Sequence, residues 1–171
     1  MVLVPEIVDA VHPTPVLAAG GIGCGRQAAA AMALGAQGVW LGSLWLTSEE
    51  YKLEPQTERG MSVVQEKLIA ATSSDTVRSR VISGKPARML KTEWTEAWTA
   101  EDSPGTLPMP LQGMLVAEAE ARIRGGQSQA LLGSPVGQIV GRMNAIEPVA
   151  KQIDDLVREF EQTVERMGGF R

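Results

Sequence analysis

The chain has 171 residues, of which 44% are hydrophobic and 21% are charged. This balance predicts a soluble globular protein and excludes a disordered chain, while a single cysteine excludes a scaffold held by disulfides. The net charge of −4, from 16 Lys and Arg against 20 Asp and Glu, gives no basic surface for nucleic acid or for an anionic membrane.

The most apolar stretch of the chain lies between Pro13 and Ser48, where Arg26 is the only charged residue. Seven glycines interrupt this stretch, which favours short strands and turns over a membrane-spanning helix. The first eleven residues carry two acids and no Lys or Arg, unlike the basic start of a secretory signal. The sequence therefore predicts a cytoplasmic location and neither a membrane nor a nucleic-acid partner.

The first 50 residues predict one right-handed βαβ unit preceded by a helix. Neither predicted strand alternates polar with apolar residues, so both are expected to be buried on both faces, as strands of parallel sheets usually are. The predicted elements are a helix over Pro5–Val11, a strand over Pro15–Ala19, a helix over Arg26–Leu34 that Gly35 ends, a strand over Gly38–Gly42, and a helical stretch from Ser43 toward Glu50.

Residues 51–171 predict a second, mostly helical portion. Its last helix is the clearest, because Pro148 precedes it, Gly168 follows it, and seven apolar residues recur between them at spacings of three and four. The other predicted elements are helices over Val63–Ala71, Ser74–Ile82 and Leu111–Arg124, and a loop over Glu101–Pro110.

Two glycine-rich turns carry the clearest functional signal: Gly20–Ile22 follows the first strand, and Gly42–Ser43 follows the second. Adjacent parallel strands end at one edge of a sheet, where the backbone N–H groups of glycines can approach an anion closely. The helices that begin near Gly25 and at Ser43 are expected to aim their positive N-terminal ends at the same point. The pattern predicts a phosphate site, and the alternative that the glycines only shape tight turns stays open.

The residues from Pro15 to Ser43, which contain PVLAAGGIG and ALGAQGVWLGS, resemble the seventh and eighth strand region of the nitronate monooxygenases, the 2-nitropropane dioxygenase family. Ser83–Arg88 (SGKPAR) resembles that family's segment after the barrel. The resemblance implies an α/β fold, the C-terminal fragment of a TIM (β/α)8 barrel with about two parallel strands, followed by a mostly helical portion. It also implies non-covalent FMN bound through its phosphate. The residues that it implies for this site are Gly20, Gly21, Ile22, Trp40, Leu41, Gly42 and Ser43.

The resemblance further implies an oxidoreductase that oxidises alkyl nitronates with O2, with a small nitronate or nitroalkane as substrate. The family's catalytic histidine comes from earlier strands, which have no counterpart here, and a complete barrel needs roughly 200–250 residues. The chain is therefore expected to be the FMN-binding part of such an enzyme, without the catalytic base. Another FMN- or phosphate-binding barrel, of the enoyl reductase or IMP dehydrogenase type, and a non-catalytic truncated fragment remain alternatives. Unpaired strand edges predict self-association or pairing with a missing N-terminal half.

Other chemically active side chains are interpreted as structural, and no metal site is predicted. His12 precedes the first strand, so the strand's length, about 17 Å at 3.3 Å per residue, separates it from the glycine turns. Cys24 has no second cysteine or nearby histidine and is interpreted as a small spacer. The residues expected to be solvated or part of the core are Arg80, Lys85, Arg88, Trp94 and Trp98.

Overall fold

The computed structural model describes residues 2–169 and divides the chain into two compact units. The first unit holds the residues up to Glu50 together with those from Glu147 onward, and the second unit is Tyr51–Ile146. The sequence-based division into residues 1–50 and 51–171 therefore differs from the structure at the last helix. That helix packs against the second helix of the first unit, a contact that periodicity along the chain does not show.

The first unit is a parallel two-stranded sheet with helices packed against it. In the sheet, Leu17 lies opposite Gly38 and Ala19 lies opposite Trp40. The predicted βαβ unit is thus confirmed, with shorter strands than expected. Its elements are α1 (Leu3–Val11), β1 (Leu17–Ala19), α2 (Gly25–Ala33), β2 (Gly38–Trp40), a 3-10 helix (Ser43–Thr47) and α6 (Val149–Gly168).

The end of α2 follows the prediction that Gly35 stops the helix. Gly35 has a φ of +99°, the left-handed conformation that glycine adopts without steric cost. Its N–H donates to the Met32 carbonyl at 2.9 Å, and the Ala36 N–H donates to the Ala31 carbonyl at 3.2 Å. These two bonds form the Schellman motif, which satisfies the last carbonyls of the helix and directs the chain into β2.

The expectation that both strands are buried on both faces is wrong. Ala18 is buried in a small cluster with Ala31 and Ala36, but Leu17 is 53% exposed and Trp40 is 68% exposed. Side chains alternate between the two faces of a strand, so helices cover only the face that bears Ala18. The opposite face, which lies inside a closed (β/α)8 barrel, is open in this chain.

Helix α6 has the predicted extent and packs closely against α2. A Cβ atom added to Gly25 would overlap the α6 backbone between Leu156 and Phe160, so the two helices approach at a point where only glycine fits. The most buried residues of α6 are Gln152 and Thr163, whereas much of its apolar face stays partly exposed. None of the helices within residues 2–169, α6 included, is long and apolar enough to cross a membrane.

The second unit contains an antiparallel hairpin where the sequence predicts a helix over Ser74–Ile82. In the hairpin, Arg78 lies opposite Arg88, and Gly84 turns the chain with a φ of +82°. The helix prediction is wrong because the apolar spacing does not reveal the pairing partner further along the chain. The elements of this unit are α3 (Val63–Ala70), β3 (Thr76–Ser79), β4 (Ala87–Leu90), α4 (Glu93–Ala97), α5 (Leu111–Gly125) and a second 3-10 helix (Gln138–Arg142).

A buried glutamine connects α5 to two neighbouring segments of the second unit. The Gln112 side chain is fully buried, donates from Nε2 to the Val81 carbonyl at 2.9 Å, and accepts the Leu107 N–H at Oε1 at 2.9 Å. Val81 is fully buried, so its carbonyl would otherwise be unpaired in a dry environment, where an unpaired polar group is costly. The bond to Leu107, which is 42% exposed, is a half-buried contact that joins the predicted helix over Leu111–Arg124 to the loop before it.

Candidate functional site

The structure brings the two glycine turns to the same edge of the parallel sheet. Because Ala19 lies opposite Trp40 in adjacent parallel strands, the residues that follow them leave the sheet side by side. The seven residues implied for the site are therefore neighbours at the carboxyl ends of β1 and β2. Phosphate binding by them stays a prediction.

In the first turn, glycine is required by the backbone conformation. Gly20 has a φ of +99° and Gly21 a φ of +70°, and a Cβ at either position would meet no atom within 4 Å. The Gln27 side chain spans this turn: Nε2 donates to the Gly21 carbonyl at 2.7 Å, and Oε1 accepts the Gly23 N–H at 2.8 Å. The turn is thus held in one conformation by α2.

In the second turn, Gly42 needs a different explanation. Its φ is −123°, which is outside the left-handed region, and a Cβ there would also meet no atom within 4 Å. Neither backbone strain nor packing within the described residues requires glycine at this position. Open space beside a backbone amide is what the close approach of a phosphate needs. Among residues 2–169, the N–H groups of Gly21 and Gly42 donate to no protein acceptor.

The structure changes the expectation that two helix N-termini point at the phosphate, because one N–H group of the first is already bonded and the second belongs to a 3-10 helix. The Gly25 N–H at the start of α2 donates to Glu159 Oε2 at 2.8 Å, and Arg26 Nε donates to Glu159 Oε1 at 2.7 Å. A carboxylate from α6 therefore accepts the first N–H group of this helix, where negative charge is favourable. The stretch that begins at Ser43 is a single short 3-10 helix, so it has no substantial dipole. The candidate site consists of turn amides.

Hydrogen bonds stabilise the charged form of Glu159. Its partial burial opposes ionisation, but bonds from the Arg26 side chain, the Cys24 thiol and the Gly25 N–H outweigh that effect and hold the pKa of this carboxyl below its ordinary value. Cys24 is buried, which agrees with its interpretation as a small spacer.

Of the remaining candidates, His12, Arg80, Lys85 and Arg88 are exposed, and Trp94 and Trp98 are half-buried rather than fully inside the core. His12 is exposed at the end of α1, before β1, whereas the glycine turns follow β1. Arg80 donates to the Gly84 carbonyl at 3.0 Å, and Arg88 donates to Thr76 Oγ1 at 3.1 Å, so both stabilise the hairpin of the second unit. The side chains of Trp94 and Trp98 form an edge-to-face pair with ring centroids 5.8 Å apart.

Sequence reasoning missed two side chains that shape the first turn, Gln27 and Glu159. Gln27 lies two residues beyond Gly25, the last glycine of the turn, so its side-chain amide is close enough to bond the turn backbone. This short spacing is a local signal for the contact. Glu159 lies 134 residues from Gly25 and carries no comparable signal. Only the packing of α6 on α2 places it there.

Comparison with known proteins identifies the family. The family model described as nitronate monooxygenase matches residues 1–159. The chain belongs to the nitronate monooxygenase family. A Mycobacterium tuberculosis protein named as a monooxygenase is 53% identical over 99% of the chain and 45% of its own length. A Staphylococcus saprophyticus protein named as a nitronate monooxygenase is 35% identical over 92% of the chain and 43% of its own length.

Two solved structures show the same fold. FabK from Thermotoga maritima is 33% identical, with a TM-score of 0.79, over 99% of this chain and 51% of that one. Nitroalkane oxidase from Streptomyces ansochromogenes is 24% identical, with a TM-score of 0.77, over 96% of this chain and 44% of that one. The chain thus spans about half the length of the proteins it matches. The fold is a fragment of a TIM barrel, as expected, and the family is one of enzymes.

Proposed function

We propose that this chain is the FMN-binding part of an oxidoreductase that oxidises alkyl nitronates with O2. The turns after β1 and β2 hold the flavin phosphate, through the backbone amides of Gly21, Ile22, Gly42 and Ser43. Gly20, Trp40 and Leu41 complete the two turns around them. The base that takes the proton from a nitroalkane lies outside this chain.

The observation that carries the proposal is Gly42. The described part of the chain gives no reason of its own for a glycine there, because its φ suits any residue and a Cβ would meet open space. A phosphate beside the Gly42 amide supplies that reason, since a side chain would occupy the same space. Gly21 presents a second amide from the neighbouring turn at the same edge of the sheet, and backbone N–H groups grouped in this way form common phosphate sites.

The donor set fits the phosphate group of FMN. Backbone amides bind an anion without a competing charge of their own, and the Glu159 carboxylate at the start of α2 is already paired with Arg26. When bound, FMN supplies the redox chemistry of the family. The chain's own residues bind its phosphate and, through the exposed face of β1 and β2, line the side of the sheet that faces the barrel interior.

Binding of FMN and riboflavin to the chain tests this proposal, because riboflavin lacks the phosphate. We expect the chain to quench the fluorescence of FMN at lower protein concentration than that of riboflavin. The Kd for FMN should be at least tenfold lower than the Kd for riboflavin. Gly42→Ala should remove most of that preference. Gly168→Ala is the matched control, because its added Cβ also meets open space in the same unit. Equal affinity of the unaltered chain for both flavins would refute the phosphate site.

A second candidate activity is that of FabK. FabK from Thermotoga maritima is 33% identical to the chain, close to the 35% of the nitronate monooxygenase relative. The two candidates share the phosphate site and differ in the reaction. Oxygen uptake with an alkyl nitronate by the FMN-loaded protein supports the first candidate. FMN binding without such uptake leaves the phosphate site standing and gives the first reaction no support.

The open face of the sheet predicts a partner. Leu17 and Trp40 expose apolar surface that a barrel interior normally buries. We propose that further barrel strands, from the remainder of a longer protein or from a second copy of the chain, cover this face. Sedimentation velocity of the isolated chain should show self-association, and a stable monomer at micromolar concentration would contradict the second-copy form.

A further inference from the structure

The Gln27 side chain controls the direction of one peptide group in the first turn. It is half-buried on the first turn of α2 and makes two hydrogen bonds to the turn, to the Gly21 carbonyl at 2.7 Å and from the Gly23 N–H at 2.8 Å. A side-chain amide that donates and accepts at once fixes both its own orientation and that of the peptide groups it contacts. Rotation of the Gly21–Ile22 peptide group would therefore break the bond to the Gly21 carbonyl.

The bond to the Gly21 carbonyl determines where the next N–H points. A trans peptide group is planar, with its C=O and N–H on opposite sides. Because the Gly21 carbonyl is directed at Gln27, the Ile22 N–H of the same peptide group is directed away from the Gln27 amide. Within residues 2–169, that N–H donates to no protein acceptor. It is left available to a ligand.

A second contact fixes the other end of the turn. The Glu159 carboxylate accepts the Gly25 N–H at 2.8 Å and pairs with Arg26, which attaches the start of α2 to α6. The Gly25 N–H is thereby bonded to a carboxylate, so it is not among the donors proposed for the phosphate. Gln27, which sits one turn into α2, is held at a fixed place relative to the turn it spans.

We propose that Gln27 is a positioning residue of the phosphate site, which orients the Gly21–Ile22 peptide group so that the Ile22 N–H donates to the phosphate. This inference rests on the proposed function. Gln27 itself does not contact the phosphate in this arrangement. Its contribution is that the donor needs no reorientation when the phosphate binds, which lowers the cost of binding.

Gln27→Met tests the inference, because methionine has a similar length and is compatible with a helix but cannot make either hydrogen bond. Kd is measured for FMN and for riboflavin by fluorescence titration on the full chain, together with the thermal midpoint. We expect FMN to bind about tenfold more weakly. This change corresponds to a loss of roughly 1.4 kcal/mol of binding free energy, which is what one well-oriented hydrogen-bond donor contributes. Riboflavin affinity should not change, because riboflavin has no phosphate to receive the donor.

Two further variants make the result specific. Gln27→Asn, whose amide is one methylene shorter and cannot span both partners, should reproduce the loss. Gln162→Met, the same substitution at an exposed position of α6, should leave both Kd values unchanged.

Each outcome has a separate meaning. Equal weakening of FMN and riboflavin in Gln27→Met would show a merely structural role, and unchanged FMN binding would show that the peptide group needs no such support. Either result overturns the inference and leaves the proposed function intact. If the unaltered chain does not prefer FMN over riboflavin, the proposed function fails, and the inference fails with it.

Discussion

Replacing Gly25 by alanine is expected to destabilise the contact between α2 and α6. The added methyl group would overlap the α6 backbone at Leu156 and Phe160, where the neighbouring atoms are not flexible side-chain ends. Overpacking of this kind costs about 1–3 kcal/mol. Moving the helices apart would also weaken the bond from the Gly25 N–H to the Glu159 carboxylate, which as a hydrogen bond to a charged group contributes about 1.5–3 kcal/mol.

Part of this loss in the free energy of unfolding is offset, because alanine is favoured over glycine in a helix by at most about 1 kcal/mol. The net expectation is a loss of roughly 3 kcal/mol in the free energy of unfolding. For a protein of this size, the thermal midpoint would fall by about 6–12 °C.

The assay is urea unfolding followed by circular dichroism, with amide hydrogen exchange to localise the change. Exchange should accelerate in α2 and α6 of Gly25→Ala and stay unchanged in the hairpin of the second unit. Gly125→Ala is the matched control, because a Cβ at the end of α5 meets open space. A Gly25→Ala protein as stable as the unaltered chain would refute the close packing of α6 on α2.

Two further predictions concern polar groups in the packed regions. The pKa of Glu159 is held below its ordinary value of 4.5, so its contribution to stability is complete above that value and is lost as the pH falls through the lower, folded-state pKa. In urea titrations at a series of pH values, Glu159→Gln should lose this part of the acid dependence of stability, and Glu161→Gln should keep it. An unchanged pH profile for Glu159→Gln would contradict the role given to the Glu159 carboxylate. Gln112→Leu should lower the free energy of unfolding by about 1–3 kcal/mol, because the buried Val81 carbonyl loses its donor. Gln162→Leu at an exposed position should change it little. Equal stability of both variants would show that water or a shifted backbone satisfies that carbonyl.

Local signals explain why much of the first unit could be predicted from the sequence. Gly35 ends α2, and the alanines between Arg26 and Leu34 favour a helix of the length that joins two parallel strands. These features act over a few residues, so they can be read along the chain. The same is true of Gly20 and Gly21, whose positive φ values match the predicted turn.

The errors arise where contacts between distant residues decide the structure. Ser74–Ile82 has apolar residues at helical spacing, yet residues 76–79 pair with Ala87–Leu90 as a hairpin. The apolar residues of β1 and β2 predict that both faces of each strand are buried. Apolar residues alone do not show whether neighbouring strands are present to cover Trp40.

At the candidate site, too, local features could be predicted from the sequence and contacts between distant residues could not. Its position could be predicted, because parallel strands bring the ends of β1 and β2 together. Its electrostatics could not, because Glu159 lies 134 residues from Gly25 along the chain and accepts the Gly25 N–H at the start of α2. The sequence periodicity of α6 indicates an amphipathic helix but not the partner that its polar side chains contact.

The most direct test of the phosphate site is an amide NMR spectrum of the chain recorded during titration with FMN. The proposed phosphate site predicts saturable shifts of the Gly21, Ile22, Gly42 and Ser43 amide signals with FMN, and smaller shifts of these four signals with riboflavin at the same concentration. Saturable shifts confined to other parts of the chain, or equal effects of the two flavins on these amides, would contradict it.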